Sequence, residues 1–465
     1  MNRNTTDPYD PNAPARALDP RFEILPVRRR SLLGAMAAVG LGGWHTPLAS
    51  AALVAPADPP AANDENWWRY VAEQFMLRPG LAYMNSGTRG PSPRVVYEAQ
   101  VQAIEAANVD RLGYAEHIYN KAFKAQLHRK LAAFVGCQAH EIALTNNTTE
   151  GMVLGTFGAD LKRGDEIIYT NHDHSSGAQP INLHAARYGT RPVVVDLSDP
   201  RFHPPDNPEV LIEAVAKAIT RRTRLISICH VNYNDGCVMP VKEICELARS
   251  RGILTLVDGA HPPGMMEMDV HDLGCDMYAG ACHKWMLAGM LTGFFYVRED
   301  VLERIWPLAY SGPVGGRNMY GAEVEDVRAT TAEKFEIHGS NNYAAGMSID
   351  AAIDFHERIG RANIERRARH LAAQTRAGLA ATPGVELFVG DDERLSAGIV
   401  SFRVRGKETK ALASTLWKRH RIYLRNTTHE EIGWDANRAS LHIMVTMADV
   451  DRLVGAVREI ARETV

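Results

Sequence analysis

The chain has 465 residues, of which 45% are hydrophobic and 23% are charged, and its formal net charge is −3. This balance is typical of a globular protein with a large core, and it provides no basic surface of the kind that binds nucleic acid. Outside the N-terminal region, no apolar run reaches the length of a permanent membrane span. The length of the chain favours two domains.

The N-terminal region predicts an export signal over residues 1–51, followed by a linker over residues 52–62. Arg29 and Arg30 precede a moderately apolar stretch, and Ala51 closes a small-x-small cleavage motif. The pattern resembles a twin-arginine signal. It implies the twin-arginine export machinery as a partner and a periplasmic or otherwise exported protein. The alternative interpretation is a disordered basic arm.

Beyond the linker, apolar runs of strand length alternate with segments that have apolar residues at helical spacing. This alternation implies right-handed crossovers and a mostly parallel sheet. We therefore expect an α/β domain over residues 63–330, with a mostly parallel sheet of the seven-stranded type and flanking helices. Its strand segments are predicted at 141–145, 166–170, 192–197, 225–230, 254–258, 277–284 and 293–297.

The pattern changes at about residue 331. The remaining sequence predicts a smaller α+β domain over residues 331–465. Its helices are predicted at 344–359, 361–382, 408–420 and 448–463, and its short strands at 385–388, 398–404, 422–425 and 440–445.

Three segments of the first domain, Leu225–His230, Leu254–Gly264 and Met277–Lys284, begin with apolar residues and end with polar ones. That order is typical of buried parallel strands that carry functional groups at their carboxyl ends. Asp258 ends the second strand and Lys284 follows the third. A lysine and a carboxylate on nearby strands suggest a carbonyl cofactor held as a Schiff base. Pyridoxal phosphate needs such a pair.

Two further polar motifs follow predicted strands. Asn147 and Glu150 have the spacing of a helix cap, and the intervening Thr148 and Thr149 would point off the helix N-terminus, where phosphate binds well. The alternative interpretation is a plain helix cap. In the motif at 171–176, His172 and His174 could bind a metal, or one imidazole could stack on a flat cofactor ring.

Together these motifs resemble those of the fold-type I pyridoxal-phosphate enzymes and, within them, the class V aminotransferase family. The signals are Asn147–Gly151, Val257–His261 and His283-Lys284, in the order and spacing of that family. The sequence is most similar to members of the isopenicillin N epimerase type, and the resemblance spans residues 63–465. It implies pyridoxal phosphate as the cofactor, with no metal.

The resemblance also implies roles for individual residues around the cofactor. Lys284, Asp258 and His174 would be catalytic, as the Schiff-base lysine, the partner of the ring nitrogen and the residue stacked on the ring. His261 stands where relatives often have glutamine, near the phenolate oxygen. Ser340 would reach the phosphate of a neighbouring subunit, which implies a homodimer. The phosphate itself would be held by Thr148, Thr149 and His283.

On the substrate side, Arg425 matches the arginine that binds the α-carboxylate, because a planar guanidinium suits a carboxylate bidentately. Arg438 lies in a motif similar to one of the family, and we interpret it as structural. The polar loop 231–236 follows a strand, and Asn234 within it is a candidate substrate-binding residue. The substrate would be a small molecule or peptide with an amino-acid moiety.

The cofactor limits the chemistry to bonds at the Cα of an amino acid or amine. Cysteine desulfurases carry a nucleophilic cysteine in the second domain, whereas this chain has no cysteine after Cys282. We expect its six cysteines to be free, mostly buried thiols. We therefore expect an aminotransferase or an epimerase, with Tyr233, His261 and His338 as candidates for a second acid. The alternatives are a lyase without a catalytic cysteine and a non-catalytic binding protein.

Overall fold

The computed structural model describes residues 61–317 and 321–463. The predicted signal, 1–51, lies outside the described residues, as does nearly all of the linker. The described residues belong to one compact unit, and the predicted domain boundary at 330/331 stays a prediction. No helix in the described part of the chain has both the length and the apolar character needed to cross a membrane.

A seven-stranded sheet forms the centre of the molecule, as the sequence predicts. Its strand order is β2-β8-β7-β6-β5-β3-β4. All neighbours are parallel except that β8 runs antiparallel to both β7 and β2. β8 lies one strand inside the edge of the sheet, and that edge is formed by β2. These strands are β2 (Ile142–Thr145), β3 (Glu166–Thr170), β4 (Arg191–Val195), β5 (Thr223–Cys229), β6 (Leu254–Gly259), β7 (Met277–Ala281) and β8 (Gly293–Val297).

Helices cover both faces of this sheet. Leu256 and Val257 are adjacent in β6 and both are fully buried, yet they pack into two different hydrophobic clusters. Since successive side chains of a strand point to opposite faces, both faces of the sheet are apolar and covered. Eleven helices of eight residues or more occur among the described residues: α1 (Glu65–Ala72), α2 (Arg94–Val109), α3 (Lys121–Val135), α4 (Thr148–Gly158), α5 (Ser175–Tyr188), α6 (Glu209–Ala218), α7 (Val241–Ser250), α8 (Tyr343–Ile359), α9 (Arg361–Ala380), α10 (Thr409–His420) and α11 (Met447–Arg462).

A four-stranded antiparallel sheet, ordered β11-β12-β15-β14, forms the C-terminal part. The helix α1 packs into the same hydrophobic cluster as this sheet. Two-stranded pairs are formed by β1 with β13 and by β9 with β10. The strands are β1 (Ala82–Tyr83), β9 (Gly316–Arg317), β10 (Glu323–Val324), β11 (Val385–Leu387), β12 (Ile399–Val404), β13 (Ile422–Tyr423), β14 (Arg425–His429) and β15 (Trp434–Ser440).

The strand predicted at 440–445 is wrong, because the last strand of this sheet is β15, Trp434–Ser440. The apolar run that suggested it, 441–445, is buried without being a strand. The strand itself was missed because it contains polar residues such as Asn437 and Arg438, and both of these are buried. The apolar run at 441–445 therefore predicted burial correctly, but it did not predict a strand correctly.

Candidate active site

Lys284 lies just beyond β7, at the edge where the carboxyl ends of the parallel strands meet. Burial lowers the pKa of Lys284 to about 8. Asp258 opposes that shift, whereas Arg438 and Arg425 reinforce it. A large share of the amine is therefore neutral in mildly alkaline solution, as a nucleophile or base must be. The predicted position at the end of a buried strand is confirmed.

Asp258 lies in β6, beside the strand that leads to Lys284, and its side chain is buried. One carboxylate oxygen accepts the backbone N–H of Ala260 at 3.0 Å, and the other accepts the Ser176 hydroxyl at 3.3 Å. Burial raises the pKa of Asp258, although Lys284 and the two hydrogen bonds act against the shift. Both donors are neutral, so a cationic group beside this carboxylate would stabilise its ionised form.

His174 caps the N-terminus of α5 and has an exposed ring. Its Nδ1 accepts the backbone N–H of Ser176 at 3.1 Å, which leaves the proton of the neutral ring on Nε2. Desolvation in the cleft, followed by the charge of Lys284, lowers the pKa of His174 to about 4. Its ring meets the Tyr233 ring edge-on, with centroids 4.7 Å apart. The imidazole is therefore a neutral, flat surface facing the cleft.

His261 is buried, and its Nδ1 lies 3.0 Å from the indole nitrogen of Trp285. An indole N–H only donates, so Nδ1 must accept and the proton of the neutral imidazole must lie on Nε2. Burial, followed by the charges of Lys284 and Arg438, lowers the pKa of His261 well below its usual range. The buried Nε2–H has no partner among the described residues, so it remains available as a donor.

Replacement of Trp285 by phenylalanine is expected to let the neutral ring of His261 adopt both tautomers. The variant loses one buried hydrogen bond, worth about 1 kcal/mol, and nothing else in the contact holds the proton of His261 on Nε2. Nitrogen-15 NMR of histidine-labelled protein should show a single Nε2–H tautomer for His261 in the wild type and a mixture in the variant. An unchanged single tautomer in the Trp285→Phe protein would contradict the role assigned to Trp285.

The N-terminus of α4 faces the same region. Asn147 caps the helix and accepts the backbone N–H of Glu150 at 3.0 Å, as the predicted spacing requires. Thr148 is buried, and its hydroxyl has no hydrogen-bond partner among the described residues. Thr149 is exposed. An unpaired hydroxyl at the positive end of an eleven-residue helix fits an anionic group such as phosphate.

His283 lies immediately before Lys284 and is partly buried. Its Nδ1–H donates to the carbonyl oxygen of Thr292 at 2.7 Å, so Nε2 is left for another partner. The N-terminal segment crosses here, with the Gly90 N–H donating to the His283 carbonyl oxygen at 3.0 Å. A Cβ at Gly90 would lie 1.8 Å from the Lys284 carbonyl oxygen. Only glycine therefore lets the segment pass so close to the lysine.

Ser340 is exposed on the segment that precedes α8, and its contact with a neighbouring subunit stays a prediction. Glu336 anchors this segment, since its carboxylate accepts the Leu144 N–H at 2.6 Å and lies 2.7 Å from Nε2 of His128. A cavity beside it brings residues of this segment next to the end of β2 and is lined among others by Thr145, Asn146, Thr292, His338, Asn341 and Asn342.

The His128–Glu336 ion pair predicts a pH dependence of stability. Burial alone would lower the pKa of His128, but Glu336 raises it to about 9. Because the pKa of His128 is higher in the folded protein, the ion pair stabilises the fold fully at pH values below the unfolded-state pKa of about 6.5. This stabilisation is lost as pH rises through about 9. We expect the free energy of unfolding to fall by about 3 kcal/mol over this range. Urea unfolding of His128→Gln should show a smaller fall; an equal fall would contradict the assignment.

Arg425 begins β14 and lies directly opposite Arg438 on β15. Arg438 is buried, and its guanidinium donates to the Tyr233 carbonyl at 2.8 Å, the Thr88 hydroxyl at 3.0 Å and the Asn85 side-chain oxygen at 3.3 Å. All three acceptors are neutral. Burial, followed by the charge of Arg425, lowers the pKa of Arg438 to about 9. Directly opposite residues share one face of the sheet, so both arginines face the cleft.

His172 points away from His174 and toward a buried cluster with His203 and Asp235. Ligand atoms of these three side chains lie within 4.8 Å of one another. However, His203 uses both ring nitrogens, one 2.9 Å from the Asp235 carboxylate and the other 2.6 Å from the Leu197 carbonyl oxygen. Both bonds require N–H groups, so the pair is an ion pair rather than a set of metal ligands. Because the ring of His172 contacts His203 and the ring of His174 contacts Tyr233, the alternative in which these two histidines bind a metal together is disfavoured.

Asn234 is fully buried, and its amide nitrogen lies 3.2 Å from Nδ1 of His172. Its backbone carbonyl accepts the Ser401 hydroxyl. The structure therefore gives this side chain a partner behind the cleft, and a direct contact with substrate stays a prediction. Tyr233, its neighbour, is the residue of the loop whose ring contacts His174.

Comparison with known proteins decides the family. The model of the family "Aminotransferase class-V" matches residues 83–453. The chain belongs to this class V family. It is 30% identical to the isopenicillin N epimerase of Amycolatopsis lactamdurans over 408 residues, which cover 85% of this chain and 99% of that protein. It is 28% identical to a probable cysteine desulfurase of Methanothermobacter thermautotrophicus, over 82% of this chain and 94% of that protein.

Solved structures agree with the class V assignment. A cysteine desulfurase from Thermococcus onnurineus superposes with a TM-score of 0.74 and 25% identity, covering 88% of this chain and 99% of that one. A C-DES variant with glycine covalently linked to its pyridoxal-phosphate cofactor gives a TM-score of 0.73 and 25% identity, covering 84% of this chain and 99% of that one. The predicted family, fold and cofactor are therefore confirmed.

The side chains of this class V site fit pyridoxal phosphate. Within residues 61–317 and 321–463, the Thr148 hydroxyl at a helix N-terminus and the His261 N–H have no partner. Asp258 is a buried carboxylate with no cationic hydrogen-bond donor among the described residues, and the pKa of Lys284 is lowered to about 8. Each group lacks the kind of partner that the cofactor's phosphate, phenolate, ring nitrogen or aldehyde would supply.

Sequence reasoning missed several residues of the site. The interpretation of Arg438 as structural is incomplete, because its buried charge lies opposite Arg425 and has no acidic hydrogen-bond partner in the described part of the chain. Ser176 and Trp285, which orient His174 and His261, were also missed. The only feature of the sequence that could have identified Ser176 and Trp285 is that each lies within two residues of a predicted site residue. Asn85 and Thr88 bind Arg438 across about 350 residues of sequence, a distance that hides the contact.

Proposed function

We propose that this protein is a pyridoxal-phosphate enzyme that breaks a bond at the Cα of an amino acid, or of the amino-acid part of a peptide or metabolite. The observation that carries the proposal is the lowered pKa of Lys284 beside the buried carboxylate of Asp258. A binding protein would not need a lysine with a lowered pKa at this position. Membership of the class V family supports the same conclusion, as do the hydroxyl of Thr148 and the Nε2–H of His261, which have no partner among the described residues.

Each side chain of the site has a definable task. When bound, pyridoxal phosphate supplies an electron sink conjugated to the substrate's Cα. The neutral amine of Lys284 accepts the proton that leaves Cα, and its pKa of about 8 suits proton transfer near neutral pH. Asp258 places a negative charge deep in the site, and His261 directs an N–H into it. Arg438 provides a buried cation for the substrate's carboxylate.

Epimerase chemistry is the first form of this proposal. It is supported by 30% and 29% identity to two isopenicillin N epimerases, each covered over 99% of its length. Epimerisation needs a second acid on the face opposite Lys284. Among the three candidates we favour Tyr233, because its ring contacts His174 and its carbonyl binds Arg438. Aminotransferase chemistry is the second form, and it needs no such acid.

Cysteine desulfurase chemistry is disfavoured although several relatives carry that name. Five of the six cysteines are buried, and the sixth, Cys137, is partly buried. Burial raises the pKa of the thiols of Cys229, Cys237 and Cys282, so none of these three presents a thiolate. A nucleophilic thiol for persulfide formation is therefore missing, while a lyase that acts without one stays an alternative.

One experiment separates the reaction types. The holoprotein is incubated with D- and L-amino acids and short peptides, and products are analysed by chiral chromatography and by assay of keto acids. Racemisation without keto acid supports the epimerase, and keto acid with loss of the amine supports the aminotransferase. Tyr233→Phe should slow racemisation by about 100-fold or more, in the range of a lost general acid. If no substrate reacts, the proposed function is wrong.

We further infer a homodimer in an exported compartment. Met290 and Leu291 are large exposed apolar residues next to Thr292, which binds His283, and Ser340 is exposed nearby on the segment that precedes α8. Apolar residues at such a place suit a subunit interface.

Export is supported by the twin-arginine motif alone. Light scattering tests the dimer, and loss of export of an Arg29→Lys, Arg30→Lys variant tests the signal.

A further inference from the structure

Two arginines stand side by side at the substrate end of the cleft. Arg425 and Arg438 are direct cross-strand partners on β14 and β15. Opposite residues of an antiparallel pair have their Cβ atoms about 5 Å apart on the same face, and like charges there destabilise the sheet. Burial, followed by the charge of Arg425, lowers the pKa of Arg438 to about 9. Such a pair is expected only where anions offset the repulsion.

The acidic side chains around the cleft do not offset it. Asp235 forms its ion pair with His203 at 2.9 Å, and Glu431 forms its own with His429 at 3.0 Å. Asp258 bonds to neutral donors beside Lys284. The three acceptors of Arg438 are neutral, and its Nε is buried without a partner among the described residues. Lys284 adds a further basic group, so the substrate end of the site is cationic throughout.

The two arginines lie at different depths. Arg438 is 2% exposed and is held by Tyr233, Asn85 and Thr88 at the floor of the cleft, whereas Arg425 is exposed at its rim. A single carboxylate at the buried arginine would neutralise one charge and leave the other. A second anionic group farther out on the same molecule would neutralise Arg425 without entering the buried part of the site.

We propose that the substrate carries two anionic groups, with its α-carboxylate at Arg438 and a second carboxylate or similar anion at Arg425. The proposal rests on the proposed function and names the substrate class of that site. It also redefines the predicted role of Arg425, from a clamp for the α-carboxylate to a specificity residue for the distal anion. Dicarboxylic amino acids, or peptides and metabolites that contain one, form this class.

The test compares ligands that differ by one charge. Binding of glutamate and glutamine, and of aspartate and asparagine, is measured in both enantiomers from the change in cofactor absorbance of the holoprotein. In the wild type the acid should bind about 10- to 100-fold more tightly than its amide, the range of one charged hydrogen-bond pair. In Arg425→Gln this preference should fall to about one. Raising the salt concentration should weaken the acid more than the amide.

A matched control removes an arginine of similar exposure outside the cleft. Arg405 lies just beyond β12 and pairs with Glu386 at 2.6 Å, so Arg405→Gln should keep the wild-type preference. Equal binding of acids and amides by the wild type would overturn the substrate class but leave the proposed function standing, as would a preference that survives in Arg425→Gln. No change in absorbance with any of these ligands would instead count against the proposed function itself.

Discussion

Replacement of Lys284 by alanine is expected to lower turnover by about 10⁴-fold or more, because the base at Cα and the covalent anchor of the cofactor are lost together. The absorbance band of the lysine-linked cofactor should vanish as well. Stopped-flow absorbance and chiral chromatography measure the two effects. Retention of more than a hundredth of the wild-type rate would show that another residue removes the proton.

Lys334 provides a matched control for this variant. Burial also lowers its pKa to about 8, but its amine donates to the Leu302 carbonyl at 2.7 Å and to the Arg328 carbonyl at 3.2 Å, away from the cleft. Lys334→Met should therefore reduce stability and leave turnover within a few-fold of the wild type. A loss as large as that of Lys284→Ala would mean that the effect of removing Lys284 is not specific to its place in the cleft.

Replacement of Asp235 by alanine is expected to destabilise the folded protein by about 3–5 kcal/mol, the cost of leaving a buried charge without its partner. His203 lies 2.9 Å from this carboxylate, and Asp235 is 0% exposed. Burial would lower the pKa of His203, but Asp235 raises it. In Asp235→Ala the imidazolium has no counter-charge. Denaturant unfolding followed by fluorescence of the adjacent Trp434 measures the effect.

The double variant Asp235→Ala, His203→Ala gives the comparison. Because it removes both charges, its loss of stability should be smaller than the sum of the two single losses. Additive losses would contradict an ion pair. The pH dependence of this stabilisation also has a definite sign. Because the pKa of His203 is raised in the folded protein, the ion pair contributes fully to the free energy of unfolding below the unfolded-state pKa of about 6.5. That contribution is lost as pH rises through the folded-state pKa of His203.

The sequence was sufficient to predict where Asp258 and Lys284 lie, because their positions depend on short-range rules. Asp258 and Lys284 follow apolar strand patterns, and parallel strands bring their carboxyl ends together whatever the rest of the chain does. The cap formed by Asn147 is equally local. These rules also predicted the seven-stranded sheet and most of the helices.

The substrate side could not be predicted in the same way because it depends on contacts between distant segments. Arg438 lies in a strand of polar residues that has no apolar pattern, and its partners Asn85 and Thr88 come from the other end of the chain. The role of Trp285 depends on one hydrogen bond to His261, which a sequence pattern cannot show. Polar residues buried across segments become visible only when the fold brings them together.

The most direct test of the central proposal is exchange of the Cα proton. Holoprotein is incubated in deuterated water with L- or D-glutamate, and the Cα–H signal is followed by NMR. We predict deuterium at Cα with the wild type, with a rate that depends on a group of pKa near 8, and none with Lys284→Ala. Retention of the Cα proton by every amino acid and peptide tested would contradict an enzyme that acts at this carbon.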